Sequence, residues 1–140
     1  MKKSLLFLLV MLAIAGTTMA QDIWSCGSHS NNGKTGVGIY LNGVRVSSFQ
    51  HNSNNFSAYD ITRWRGHTYM AYRNTTVEKA FVWDYESNES ISFGDNTTVY
   101  KVFGRNGGSY LWAAGYKLNG SIYNAIVWKI DAGSATEFTP

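Results

Sequence analysis

The sequence predicts an all-β domain built from three imperfect repeats, each an antiparallel meander of strands. Short runs rich in Val, Ile, Tyr, Phe and Trp are separated by clusters of Gly, Asn, Asp and Ser about every ten residues, a pattern typical of successive short strands. No segment beyond residue 20 shows sustained helical spacing. A four-residue pattern also recurs 45 residues apart, at residues 80–83 and 125–128, which indicates that the strands form repeated units.

Residues 1–20 have the pattern of a secretory signal peptide. Lys2 and Lys3 give a positive start, and the apolar run at residues 5–16 is shorter than the roughly 20 residues that span a bilayer. Thr18 and Ala20 supply small residues at the positions that a signal peptidase reads. We therefore expect cleavage after Ala20, a secreted or periplasmic protein, and no membrane span in the mature chain of residues 21–140.

Charge and cysteine content narrow the classes of partner. The whole chain has 12 Lys plus Arg against 9 Asp plus Glu, and Lys2 and Lys3 leave with the signal peptide, so the mature domain has a net charge of only +1. This small charge argues against a nucleic-acid partner. The single cysteine, Cys26, cannot form an internal disulfide; it is expected either to be a small buried apolar residue or to pair between chains.

The repeat defines the organisation of the mature domain. Residues 80–83 read Ala-Phe-Val-Trp and residues 125–128 read Ala-Ile-Val-Trp, and Phe93 and Phe138 follow at the same offset of 45. Tyr59 and Tyr100 begin a second match, offset by 41 because the turn at residues 74–76 is shorter. A single all-β repeat domain is therefore predicted, with units at about residues 22–55, 56–96 and 97–140.

Each full unit is predicted to contain four strands, and the first unit lacks its opening strand. In the last unit the strands are expected at residues 99–103, 110–116, 123–130 and 135–138. Asn-Gly pairs such as residues 42–43 suit tight hairpin turns, since both residues tolerate positive φ. The continuously apolar segments 80–83 and 125–128 predict strands covered on both faces.

Aromatic residues that recur at the repeat period are predicted to be core. Trp83 and Trp128 are equivalent, with Tyr40 at the same position in the first unit. Trp24 and Trp112 lie 16 residues before Tyr40 and Trp128, and core packing is expected for them as well.

A four-stranded unit of about 40 to 45 residues with a tryptophan at a fixed place is typical of a β-propeller blade. Ala-Gly-Tyr at residues 114–116, Asn-Gly at 119–120 and Ala-Ile-Val-Trp-Lys at 125–129 resemble the tandem repeats of secreted, mostly uncharacterised bacterial propeller-type proteins. The resemblance implies blade-like sheets and an extracytoplasmic setting, and it brings no catalytic residues.

The number of units leaves the architecture open. A closed propeller has about 4 to 8 blades, and this chain supplies fewer than three complete ones. Association of several copies into a homo-oligomeric ring would supply the missing blades. Another possibility is that the chain is a remnant of a longer repeat protein. A β-trefoil is the alternative, because three four-stranded units in about 120 residues would suit it in size.

Residues that do not repeat are candidates for function, because the demands of the scaffold recur in every unit. Arg63-Trp64-Arg65, followed by His67, has no counterpart in the other units. Here Trp64 could stack on a sugar ring while Arg63, Arg65 and His67 supply hydrogen bonds. The alternative is an exposed turn in which Trp64 packs on its own sheet with an arginine across it.

The function predicted from these features is a non-catalytic binding module for carbohydrate, with a structural or protein-interaction domain as the alternative. A glycoside hydrolase is a weaker candidate, since nothing in the sequence marks the pair of carboxylates it needs. No cofactor is expected, and the histidines have no zinc-ligand spacing. The acidic residues considered are Asp60, Asp84, Glu86, Asp95 and Asp131, and the histidines are His29, His51 and His67.

Overall fold

The structure, a computed structural model, describes residues 21–31, 34–50, 55–105 and 107–139. The predicted signal peptide and His51 lie outside these residues. All regular structure within them is β-strand, so the all-β prediction is confirmed. The strands are β1 (Trp24–Asn31), β2 (Lys34–Leu41), β3 (Val44–Gln50), β4 (Phe56–Trp64), β5 (His67–Asn74), β6 (Lys79–Asp84), β7 (Glu89–Asp95), β8 (Thr97–Gly104), β9 (Leu111–Asn119), β10 (Ile122–Asp131) and β11 (Ser134–Phe138).

The strands form three antiparallel sheets, in each of which neighbours in sequence are neighbours in space. The first sheet contains β1 to β3, the middle sheet β4 to β7, and the last sheet β8 to β11. The first sheet has three strands and the others four, as expected from a first unit without an opening strand. Among the described residues there is no helix of a length and apolarity that would cross a membrane.

Tight turns with positive φ values join strands at both ends of the middle sheet and at one end of the first. Asn42 and Gly43 have φ of 52° and 80°, and Arg65 and Gly66 have φ of 51° and 84°. Two consecutive positive φ values are typical of the turn that matches the twist of a hairpin. The Asn-Gly turn at residues 42–43 is therefore as predicted, whereas Arg65 occupies a conformation that is costly for a residue with a long side chain.

The middle sheet is covered on both faces. We call the face of a sheet that points toward the next sheet in chain order its forward face, and the opposite one its backward face. Val82 on the forward face is buried against the last sheet, and Trp83 on the backward face is buried against the first. Successive residues of a strand point to opposite faces, so the continuous apolar run at 80–83 has the double covering that was predicted.

The same prediction is wrong for residues 125–128. Ile126 and Trp128 are buried on the backward face, but Ala125 is exposed and Val127 is only half-buried. In the part of the chain that the structure describes, no sheet lies in front of the last one.

Two clusters of buried side chains hold the three sheets together. Trp83 is 5% exposed in the first cluster and Trp128 is 2% exposed in the second, which confirms that these equivalent residues are core. Burial of one indole removes about 200 Å² from water, a contribution of roughly 5 kcal/mol before entropic costs. The first cluster contains Val37, Ile39, Phe56, Met70, Tyr72 and Trp83. The second contains Ala71, Ala80, Val82, Phe93, Val99, Val102, Leu111, Ala113, Ile126, Trp128 and Ile130.

The other repeated aromatic residues, Trp24, Trp112 and Tyr40, differ in whether they pack against a core cluster. Trp24 packs against the first cluster as expected. Trp112 is half-buried outside both clusters, so the core prediction is wrong for it. Tyr40 is also half-buried outside both clusters, so the core prediction is wrong for it too. Its ring lies against the backbone of Gly27 and Gly38, where a Cβ would meet the Tyr40 ring at 3.7 and 3.4 Å.

Glycine at position 115 permits a close approach between two strands. Tyr100 is the extra residue where the register of β8 and β9 shifts, and next to this bulge a Cβ on Gly115 would lie 1.9 Å from the carbonyl oxygen of Thr98. Because that oxygen belongs to the backbone, the clash would have to be relieved by moving a strand.

We expect Gly115→Ala to lower the free energy of unfolding by about 2 kcal/mol or more, since overpacking against backbone is poorly relaxed. Gly27→Ala is the control, because a Cβ there meets only the Tyr40 ring at 3.7 Å, and it should change stability by less than about 0.5 kcal/mol. Urea denaturation of both variants measures the difference. Equal stabilities would contradict the close approach at Gly115.

Cys26 is half-buried beside the first cluster. Burial raises the pKa of its thiol to about 11, and the negative charge of Asp60 adds to the effect. The structure therefore favours the small apolar residue over the intermolecular disulfide.

We expect native Cys26 to react about a hundredfold more slowly with an aromatic disulfide reagent at pH 8 than it does in urea, because only the thiolate is nucleophilic. The rise in absorbance as the reagent is cleaved gives both rates. Similar rates in the folded and unfolded chain would contradict the burial of the thiol and its raised pKa.

Candidate ligand-binding site

A cavity of about 330 Å³ opens at one end of the interface between the middle and last sheets. In an antiparallel meander, every second turn lies at the same end of the sheet, so residues that are far apart in sequence meet there. The walls come from the β4–β5 and β6–β7 ends of the middle sheet and from the β8–β9 and β10–β11 ends of the last sheet. The volume lies at the lower end of the range for small-molecule sites.

Trp64 forms the wall between the two sheets. Its indole lies on Gly104 of the last sheet, where a Cβ would come within 2.1 Å of Trp64 Cδ1. Its Nε1–H donates to the carbonyl oxygen of Arg105 at 3.3 Å. Trp64 therefore packs on the last sheet, where the absence of a side chain at Gly104 makes room for the ring. Its ring centroid also lies 6.3 Å from that of Tyr69 in its own sheet.

The two arginines of the predicted patch lie on opposite sides of the middle sheet. The guanidinium carbon of Arg65 lies 4.8 Å from the Trp64 ring centroid, and both residues line the cavity. The corresponding atom of Arg63 lies 5.3 Å from the Trp24 ring centroid, facing the first sheet. Arg63 and Trp64 are adjacent in β4 and so point to opposite faces of the sheet, whereas Arg65 lies in the turn that follows β4. Arg63 therefore does not belong to the site.

His67 supports the cavity wall through its neighbours. Its Nδ1 lies 2.8 Å from Asp84 Oδ2, and its ring stacks on Tyr69 with centroids 6.1 Å apart. Asp84 and Tyr69 both line the cavity. Burial, together with the negative charges of Asp84 and Glu86, raises the pKa of Tyr69, so its hydroxyl stays protonated and can donate a hydrogen bond at neutral and mildly basic pH.

His67, Asp84 and Glu86 also lie close enough to be considered as metal ligands, with one donor atom of each within 4.8 Å of the others. Asp84 Oδ1 accepts hydrogen bonds from the backbone N–H of Glu86 at 3.1 Å and of Ser87 at 3.4 Å. The Glu86 carboxylate accepts from the N–H and hydroxyl of Thr68. Hydrogen bonding within the protein thus accounts for this cluster without an ion.

Carboxylates dominate the polar rim of the cavity. Asp84, Glu89 and Asp131 line it, and among the described residues Arg65 is the one basic residue that does so. Of the other acidic residues considered from the sequence, Asp60 binds Lys101 at 3.1 Å, and Asp95 binds Lys79 at 2.8 Å. These two carboxylates lie outside the cavity lining and have structural partners.

Sequence reasoning missed Tyr69 and Glu89. Tyr69 repeats with Tyr110 at the offset of 41, which favoured a role in the scaffold, and Glu89 is the first residue of β7 in a stretch without distinctive chemistry. Their place in the meander could have identified them, because both residues lie beside turns at the same end of the sheet as Trp64.

We expect Gly104→Ala to displace the Trp64 ring and to lower the free energy of unfolding by about 1–3 kcal/mol. In a Trp64→Ala background the same change should cost less than about 0.5 kcal/mol, because the clashing ring is gone. Chemical denaturation of the four proteins in this cycle gives the coupling. If the two changes in the free energy of unfolding were additive, the packing of the Trp64 ring on Gly104 would be contradicted.

The chain was also compared with known proteins. No protein-family model matches it, and neither curated proteins nor solved structures gave a match. What the cavity binds is therefore inferred from its own side chains.

Proposed function

We propose that the mature chain is a secreted or periplasmic non-catalytic binding module, and that its ligand is a carbohydrate held in the cavity between the middle and last sheets. The observation that carries this proposal is the meeting of two aromatic side chains, Trp64 and Tyr69, with Arg65 and the carboxylates of Asp84 and Asp131 around one cavity.

A sugar suits this combination of groups. Its ring presents C–H faces, which pack on aromatic rings, and hydroxyl groups, which both donate and accept hydrogen bonds. The carboxylates of Asp84 and Asp131 can accept hydrogen bonds from sugar hydroxyls, while Arg65 can donate hydrogen bonds to ring or hydroxyl oxygens. A volume of about 330 Å³ favours one or two sugar residues, such as the end of a chain, over a long stretch of polysaccharide.

Hydrolysis is the second candidate, because Asp84, Glu89 and Asp131 line the same cavity and a glycoside hydrolase needs two carboxyl groups about 5 to 9.5 Å apart. Binding is preferred, since Asp84 already accepts hydrogen bonds from His67 and from backbone N–H groups. A carboxylate held in this way is well suited to orienting a ligand.

We also infer that the three sheets are blade-like units, in keeping with the resemblance to secreted propeller-type repeats. The two separate core clusters on either side of the middle sheet support this arrangement. A trefoil would be expected to gather its three units around one shared core.

We expect Trp64→Ala to weaken sugar binding at least tenfold, about 1.4 kcal/mol, because it removes the stacking surface. Arg63→Ala is the matched control from the same strand, and it should bind within twofold of the wild type, since Arg63 faces Trp24. A glycan array with residues 21–140 identifies the sugar, and titration calorimetry with that sugar gives the affinities.

Three outcomes would overturn parts of this proposal. An array without any bound glycan favours the structural or protein-interaction alternative. Equal losses in the Trp64 and Arg63 variants move the site away from the cavity. Release of a shortened product from the bound sugar, abolished by Asp131→Asn, makes the chain a hydrolase.

A further inference from the structure

The forward face of the last sheet is an exposed apolar surface. Register pairs Trp112 with Phe103, and Val127 with Phe138, so these four side chains share one face. Phe103 and Phe138 are exposed, and Trp112 and Val127 are half-buried. Large contiguous apolar surfaces of this kind usually mark an interaction site.

Equivalent positions in the other sheets are covered by a neighbouring sheet. Phe93 of the middle sheet is 6% exposed, and its ring lies 5.0 Å from that of Trp128 in the last sheet. Phe138, 45 residues later, is 47% exposed. Likewise, Trp24 of the first sheet packs against the first cluster, whereas the equivalent Trp112 contacts the ring of Phe138 in its own sheet. In the first and middle sheets, therefore, the forward face is covered by the next sheet.

A row of tyrosines extends the apolar surface to one side. The rings of Tyr100 and Tyr116 are 5.7 Å apart, and those of Tyr116 and Tyr123 are 4.9 Å apart. Tyr100 and Tyr123 are exposed. Successive rings of the row are tilted or edge-on rather than coplanar, so they do not form the flat platform that a planar polysaccharide surface would need. Tyrosine, tryptophan and phenylalanine are enriched where proteins meet.

The opposite end of the stack is different in character. On the backward face of the first sheet, the Tyr40 ring lies over Gly27 and Gly38, and its cross-strand neighbours are Ser25 and Arg45. Among the residues of this face that the structure describes, few large side chains are available to the aromatic surface of the last sheet. Association of the aromatic surface with itself is therefore favoured over a head-to-tail chain.

Of the two basic residues near this surface, one is paired with a carboxylate and the other lies against an aromatic ring. Lys101 and Lys129 lie on or beside the forward face of the last sheet. Lys101 Nζ binds the carboxylate of Asp60 at 3.1 Å, and Lys129 Nζ lies 4.3 Å from the Tyr110 ring centroid. Both ammonium groups thus have partners within their own chain.

We propose that two copies of this chain pair through the forward faces of their last sheets, related by a two-fold axis. Four strands about 4.8 Å apart, each of about eight residues at 3.4 Å, give a face of roughly 19 by 27 Å. Two such faces bury about 1,000 Å², which is the lower bound for a specific interface. A two-fold arrangement brings the same surface of each copy together, and it leaves the cavity at the end of the sheets open.

The test is the mass of residues 21–140 by sedimentation equilibrium from 1 to 200 µM. We expect twice the mass of one chain, and the mass of one chain for the variants Phe138→Lys and Val127→Lys. Val44→Lys, at a residue that is 67% exposed in the first sheet, is the control and should remain dimeric. Circular dichroism checks that each variant keeps its β-sheet content, and Val127→Lys provides a second case should Phe138→Lys fail to fold.

Three results would overturn the proposal. A single-chain mass at every concentration excludes the pairing. A folded Phe138→Lys or Val127→Lys that stays dimeric puts the contact elsewhere. Dissociation by Tyr40→Lys indicates that the backward face of the first sheet is used, as in a head-to-tail ring. Sugar binding by the monomeric variants is measured as well, because binding that persists in a monomer shows that the cavity functions without the dimer.

Discussion

The packing of one sheet on the next is the interaction on which the rest of this structure depends. With one cysteine and no internal disulfide, the chain relies on apolar side chains between sheets for its cohesion. The largest side chain in each contact is a tryptophan on the backward face of a sheet, Trp83 of the middle sheet in one case and Trp128 of the last sheet in the other. Because the middle sheet uses both of its faces, it fixes the positions of its two neighbours.

The repeat made much of this fold predictable. An offset of 45 residues equates Trp83 with Trp128, and both are buried on the same face of their sheets. Periodicity within a strand identifies which residues share a face, but it does not say whether another sheet lies opposite. For that reason the apolar run at 80–83 was predicted correctly. Val127 and Trp112 were predicted to be core, but no described sheet covers the forward face of the last sheet, on which they lie.

The candidate site was only partly predictable. The lack of repetition around Trp64 drew attention to the correct turn, but alternation along β4 sends Arg63 to the first sheet and Trp64 to the last. Asp84, Glu89 and Asp131 meet because their turns lie at the same end of two sheets, a proximity that depends on how the sheets are stacked. The fit of an indole on Gly104 depends on distances of a few ångströms, which no sequence pattern encodes.

The position of Trp64 has a consequence for how such a site arises. The residue belongs to one repeat and rests on another, so each unit supplies only part of the wall of the cavity. An isolated unit would have neither the surface beneath the indole nor the carboxylate of Asp131 across from it. Duplication of a unit therefore does more than lengthen the protein, because the junction between two copies is a new concave surface on which selection can act without altering the centre of either copy.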